Sequence, residues 1–200
     1  MPAEPAYSSD VAFSPAVKAV QARKGSRAAY ARREQSGAWP STVDDDLAAF
    51  LAEQTSVFLA TASADGQPYV QHRGGPPGFI RVLDEHTLGF VDYAGNKQYI
   101  TAGNLSENPK FCLFLIDYAH QRRIKIWGEA RVAPADDALI ARLMPHGYKA
   151  RPEHVVLLHV TAWDVNCPQH IPQKFDAADV ARLQARITAL EAENAALRAR

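Results

Sequence analysis

The sequence is short of several things that would place it in common protein classes. It holds only two cysteines, Cys112 and Cys167, so it carries no disulfide framework, in keeping with a reducing cytosol. Its longest strongly apolar stretch, Phe111 to Ile116, is far below the roughly 20 residues that a bilayer-crossing helix needs. Excess charge is missing as well. The 22 Lys+Arg are balanced by 22 Asp+Glu, which leaves no overall pull toward nucleic acid and confines any anion site to a local cluster. Glu4 and Asp10 sit in an N-terminus without an apolar core, which does not read as a secretory signal. The expectation is a cytoplasmic protein with neither a membrane nor a nucleic-acid partner. No Gly-x-Gly-x-x-Gly follows a strand pattern, so no Rossmann nicotinamide site is expected. No Ser-His-Asp or paired-carboxylate arrangement stands out. Cys167 and His170 are only two ligands on a proline-containing loop, so no metal is expected.

What is present falls into three zones. Residues 1–54 read as a helical extension. Ser14-Pro15 is a capping residue followed by proline at the first helical position. The basic run from Lys18 to Arg33 has no aromatic stacking pattern and reads as a solvated helix face. After a break at Gly37 to Pro40, Asp44 to Asp46 favour a helix start, with Leu47, Phe50 and Leu51 on its apolar side. Residues 55–167 are strand-rich. Asp65-Gly66 between the runs 56–63 and 68–73 is a hairpin signal. Further strands are expected over 79–83, 88–93, 110–117, 122–132 and 153–165, with a short helix over 134–144. Many short strands joined by hairpins favour a barrel or sandwich over a parallel sheet. His159, inside the last apolar run, reads as a core histidine; Trp39, Trp127 and Trp163 read as packing or interface residues.

Residues 168–200 are a proline-rich loop and a helix starting near Asp176. Val180, Leu183, Ile187, Leu190, Asn194 and Leu197 follow a heptad, with Val, Ile and Asn at the a positions and Leu at d. That pattern favours a parallel two-stranded coiled coil, and Arg186 with Glu191, and Glu193 with Arg198, have the g-to-e′ spacing. The alternative is an amphipathic helix packed on its own barrel.

The motif that carries chemistry is a phosphate-site pattern. Gly95-Asn96-Lys97-Gln98 follows a strand ending at Tyr93 and opens a helical segment running through Leu105. A cation beside free backbone N–H groups at a helix start traps anions. Gln71-His72-Arg73-Gly74-Gly75 ends the second strand, where paired glycines permit close backbone approach and Arg73 offers a second cation. A tight turn with a solvated lysine fits the same residues.

Residues 56–133 resemble the FMN-binding core of the pyridoxamine-phosphate-oxidase-like family. The resemblance rests on Gly89-Phe90-Val91-Asp92-Tyr93-Ala94-Gly95-Asn96-Lys97-Gln98, closing on Glu107-Asn108-Pro109, and on Arg122-Arg123-Ile124-Lys125-Ile126-Trp127-Gly128. It implies a mainly β (α+β) protein, a six-stranded antiparallel split β-barrel with N-terminal helices and a C-terminal heptad helix. It further implies a homodimer holding FMN in two clefts between subunits. Asn96, Lys97 and Gln98 would contact the phosphate. Val91 and Asp92 would lie along the flavin edge, with Gln71, His72, Arg73 and Gly74 on the adjacent strand. Arg123 would reach the flavin from the second subunit, and Arg123 or Lys125 would place positive charge near the ring. The chain departs from the vitamin-forming oxidases in lacking their C-terminal Arg-x-His-Asp-Arg-type clamp, so synthesis of pyridoxal phosphate is not expected. Lys97-Gln98 also stands where Arg-Lys is usual, which removes one phosphate cation.

The function implied is an FMN-dependent oxidoreductase that takes hydride from NAD(P)H and passes electrons to oxygen or a small acceptor. His72 is the candidate proton partner, because an unperturbed imidazole titrates near neutrality. Three alternatives stay open: a haem-binding relative using His72 and His170, a deazaflavin-binding relative, and a non-enzymatic flavin sensor whose coiled coil engages a partner.

Overall fold

Capping chemistry starts the helices where the sequence places it. The computed structural model describes residues 7–199; residues 1–6, Glu4 among them, and Arg200 at the end of the C-terminal zone lie outside the described residues. In α1 (Pro15–Arg23) the Ser14 side chain accepts from the Val17 N–H, and proline fills the first turn. The basic run is two helices rather than one. Gly25, at φ 79°, turns the chain between α1 and α2 (Arg27–Gln35). Asp44 caps α3 (Asp45–Glu53), which buries Leu47, Phe50 and Leu51.

Seven strands form one antiparallel sheet: β1 (Ser56–Ala62), β2 (Pro68–Gly74), β3 (Arg81–Asp84), β4 (Thr87–Tyr93), β5 (Lys110–Asp117), β6 (Arg122–Pro134) and β7 (Pro152–Asn166). Their order is β2-β1-β5-β6-β7-β4-β3. The interior is built by alternation. Val57, Leu59 and Thr61 of β1, Leu113 and Leu115 of β5, and Ile124 and Ile126 of β6 are buried, while the residues between them are half-exposed. The α3 side chains join this same core. A second apolar cluster lies under α5 (Asp137–Leu143), where Leu143 packs with Val91, Ala133, Val155 and Leu157. No described helix is long and apolar enough to cross a membrane.

Two expectations about the sheet and the helix that follows β4 need correction. The sheet has seven strands, not six, and it is not closed. The seven strand runs read from the sequence are all present, and the count of six that the resemblance implies is one short. The run expected over 79–83 is β3, a four-residue edge that pairs only with the start of β4, as Arg81↔Gly89 and Val82↔Leu88. Phe79 and Ile80 lie outside it. They are apolar because they plug the core from the β2–β3 loop, at 2% exposure each. The second correction concerns the helix after β4. It begins at Ile100 (α4, Ile100–Glu107) and not at Gly95, because Lys97 (φ 59°) and Tyr99 (φ 53°) take left-handed conformations that interrupt it.

β7 is long enough to serve two neighbours. Its first half pairs with β4, from Pro152 to His159, and β6 runs along its other side. The edge of its second half is covered by the N-terminal arm: the Trp163 N–H donates to Pro40 O at 2.9 Å and Trp163 Nε1 donates to Thr42 O at 2.8 Å. Trp39 stacks on Trp127 of β6, with ring centroids 4.9 Å apart and planes at 10°. These tryptophans are packing residues, as expected. His159 is not in the core. It is exposed on β7, with its ring centroid 5.7 Å from that of His86.

α6 (Ala177–Arg198) follows the proline-rich loop and has no buried residue. Its base is fixed: Gln121 Nε2 donates to Ile171 O at 2.7 Å, Gln173 Nε2 donates to Ala119 O at 3.0 Å, and Lys174 Nζ sits 4.3 Å over the Tyr118 ring.

Candidate functional site

The split between β2 and β4 is where the candidate residues meet. Because β3 leaves one edge of the second half of β4 open, β2 faces it across a gap, and the two strands are tied by an ion pair between Arg73 and Asp92. Strand alternation sends Tyr69, Gln71 and Arg73 toward the gap. They are the register partners of the inward residues Thr61, Leu59 and Val57. The loop after β4 and the start of α4 close the other side. The result is an open groove of about 310 Å³, lined by Gln71, Arg73, Asp92, Asn96, Lys97, Gln98, Tyr99, Thr101 and Glu153 among others.

Several features of the groove suit an anionic ligand. No side chain caps the N-terminus of α4, so the N–H groups of its first turn keep their capacity to bind. The Asn96 carboxamide oxygen accepts from the Gln98 N–H at 3.2 Å, which leaves its Nδ2 donor for a ligand. Among the described residues Lys97 has no carboxylate within ion-pair distance. Left-handed φ at two non-glycine residues, Lys97 and Tyr99, costs about 1 kcal/mol or more each, and such strain gathers at binding loops.

Arg73 is differently placed from the expectation of a free second cation. Its charge is engaged by Asp92, while its Nε is buried without a partner, so a donor remains for a ligand acceptor. Thr101 is a site residue that the sequence did not reveal. It is 4% exposed, and its hydroxyl donates to Gln71 Oε1 at 2.7 Å, which turns the Gln71 amide group toward the groove. Tyr99 and Glu153 were missed too. The Tyr99 hydroxyl donates to Glu153 Oε1 at 2.8 Å, and that bond to a carboxylate raises the phenol above its ordinary value. Burial raises Tyr93 similarly, with Tyr148 adding to it.

The remaining candidates divide. A smaller recess of about 140 Å³ shares Arg73, Asp92 and Tyr93 with the groove and adds His72, Gly74 and Val91 to its lining. The His72 ring turns from the gap to the outer face of β2, where Nε2 lies 2.8 Å from Ser56 Oγ and the ring meets Phe58 edge-on at 5.8 Å. The Val91 side chain is buried against α5, so only its backbone can serve the gap. Arg123 and Lys125 lie in neither recess. They are on the outer side of β6, where Lys125 lies close enough to act electrostatically on Asp164 and Cys112. Burial raises both of those acids above their usual range. No cluster of three or more potential metal ligands occurs among the described residues.

A model of the pyridoxamine 5'-phosphate oxidase family matches residues 43–167, more than half of the chain. The chain belongs to this family. No curated protein matches it. Among solved structures, HupZ of Group A Streptococcus is 18% identical with a TM-score of 0.51, over 66% of this chain and 99% of that one. A conserved hypothetical protein of Mycobacterium tuberculosis is 16% identical, with a TM-score of 0.48, over 67% and 91%. An FMN-binding protein of Syntrophomonas wolfei is 13% identical, with a TM-score of 0.44, over 58% and 80%. The likeness to HupZ is one of fold. The family match begins at Val43, just before α3, and ends at Cys167, just after β7, so it spans the whole sheet and the α3 side chains in its core. The FMN that the resemblance implies would meet donors of a suitable kind in the groove: a lone lysine, an uncapped helix start and an orphaned guanidinium N–H can each bind a phosphate or other acceptor.

Proposed function

We propose that this chain is an FMN-dependent oxidoreductase of the cytoplasm, working as a homodimer, that accepts hydride from NAD(P)H and delivers electrons to oxygen or a small acceptor. One observation carries the reading: Lys97, without an ion-pair partner among the described residues, stands at the uncapped start of α4 beside the Thr101-fixed Gln71. FMN, when bound, supplies the two-electron chemistry, and the protein supplies binding, orientation and electrostatics.

Lys97 and the first N–H groups of α4 hold the phosphate, and Asn96 Nδ2 adds a donor. Gln71 presents its amide group from a fixed position. Arg73 and Asp92 hold β2 against β4, so that the groove keeps its width, and the free Nε of Arg73 meets a ligand acceptor. No side chain in the groove acts as a general base in this reading, and His72 lines only the smaller adjoining recess. Arg123 and Lys125, on the outer face, serve the groove of a second copy and place positive charge there; this favours a reduced, anionic flavin.

The test is the absorption spectrum of the purified protein before and after anaerobic NADPH. The expected result is a yellow protein that NADPH bleaches. Lys97→Ala should purify with flavin occupancy reduced about tenfold, the loss of one charge-assisted phosphate contact. A Soret band, an absorption confined to the violet edge, or a Lys97→Ala protein as yellow as its parent would each overturn this reading.

A further inference from the structure

We infer that α6 is a dimerisation helix that pairs in parallel with α6 of a second copy of this chain, independently of the flavin site. The helix leaves the barrel bare. Val180, Leu183, Ile187, Leu190 and Leu197 form one stripe, and they are between 38% and 65% exposed. Nothing among the described residues covers that stripe, because α6 has no buried residue along its 22 residues. A row of apolar side chains in water at heptad spacing is the seam of a coiled coil lacking its other half.

Two features of the sequence select the occupant and its direction. Charge complementarity selects a second copy. With Val180, Ile187 and Asn194 at a, Arg186 at g faces Glu191 at e′ of an identical parallel helix, and Glu193 faces Arg198; by symmetry every such pair forms twice. Asn194 selects the direction. In parallel register it meets the asparagine of the other helix, and the two side chains satisfy each other. In the antiparallel arrangement that matches the other a and d layers, it faces Leu183 and is buried with no partner, which is penalised. The fixed root of α6, held by Gln121, Gln173 and Lys174, sends the helix away from the barrel at a defined point, free to meet a copy that leaves from the same point.

Disulfide trapping in the full chain tests this. Val180→Cys is made in a Cys167→Ser background, which removes the exposed native thiol. Parallel pairing sets the two introduced sulfurs side by side, and mild oxidation yields a crosslinked dimer on a denaturing gel. In antiparallel pairing residue 180 lies opposite residue 197, about 26 Å along the axis from its counterpart, so this variant alone gives no crosslink, while mixing it with Leu197→Cys does. That result would overturn the proposed direction. Adding Ile187→Asp should cut crosslinking at least tenfold; yield unchanged by Ile187→Asp would mean chance collision and overturn the pairing itself. Arg186→Glu should weaken the crosslink, and Arg186→Glu with Glu191→Arg should restore it. Flavin content should be unchanged throughout, which separates this inference from the cofactor reading.

Discussion

Thr101 and Gln71 lie 30 residues apart and meet across the groove, the hydroxyl of one donating to the carboxamide oxygen of the other. Thr101→Val keeps the shape and removes the donor, leaving Gln71 Oε1 half-buried and unsatisfied. The variant should lose about 1 kcal/mol of stability, read by chemical denaturation, and should release flavin several-fold more readily, read by fluorescence on dilution. Such a contact is invisible in a sequence because neither residue carries a local signature for it. The same holds for Tyr99 and Glu153, which are 54 residues apart. Asn96, Lys97 and Gln98 line the groove because the loop they form joins the end of β4 to the start of α4. His159 was misjudged for a related reason: apolar neighbours on both sides describe a buried strand, yet alternate side chains still face outward.

Asp117 and His120 show how a residue pair shapes pH dependence. Their side chains meet at 2.6 Å in the β5–β6 turn. The bond to Asp117, then its charge, raises the imidazole above 6.5. Burial alone would raise Asp117, but the His120 backbone N–H, ring and charge together bring it below the ordinary value. A raised histidine gives stability that is complete below its unfolded value and lost as pH climbs through its folded one. A lowered carboxylate gives stability that is present above its unfolded value and lost as pH falls through its folded one. The pair therefore contributes fully between about pH 4 and pH 6.5. In an NMR titration the His120 ring should have its midpoint above 6.5, and Asp117→Asn should bring it back down; an unmoved midpoint would dissolve the linkage.

Among the elements, the junction of β6 and β7 tolerates least change. The register shifts between Trp127 and Gly128, so that Thr161 is the extra residue on β7. A Cβ on Gly128 would stand 1.8 Å from the His159 carbonyl oxygen, so Gly128→Ala must push two long strands apart. It should cost about 3 kcal/mol or more, seen as a lower denaturant midpoint. Gly103→Ala in α4 has nothing within 4 Å of the new methyl group and should stabilise by about 0.5–1 kcal/mol. The hairpins could be read from the sequence because Asp65-Gly66 and the alternation around it are local. The bounds of β3 could not. Whether a four-residue segment such as β3 joins the ladder depends on β4 already lying beside it, and Phe79 and Ile80 imitate strand residues while serving the core as a plug.

At the scale of the whole molecule, the parts separate by how they are held. The sheet and α3 share one core, α5 has its own small cluster beneath it, and α6 stands apart with only its root attached. The helical extension was legible as helices through Ser14, Pro15 and Asp44, but its lodging was not, since Trp39 finds Trp127 only once the strands between them have folded. That lodging matters for how the protein behaves at high concentration. Pro40 sits where a foreign strand would otherwise pair with Trp163 on the rear portion of β7, so the arm works there as a guard against strand-by-strand stacking. Protease trimming of the arm would unmask the Trp163 N–H and the strand edge around it, and the expected sign is turbidity growing with time in a stock that stays clear when intact.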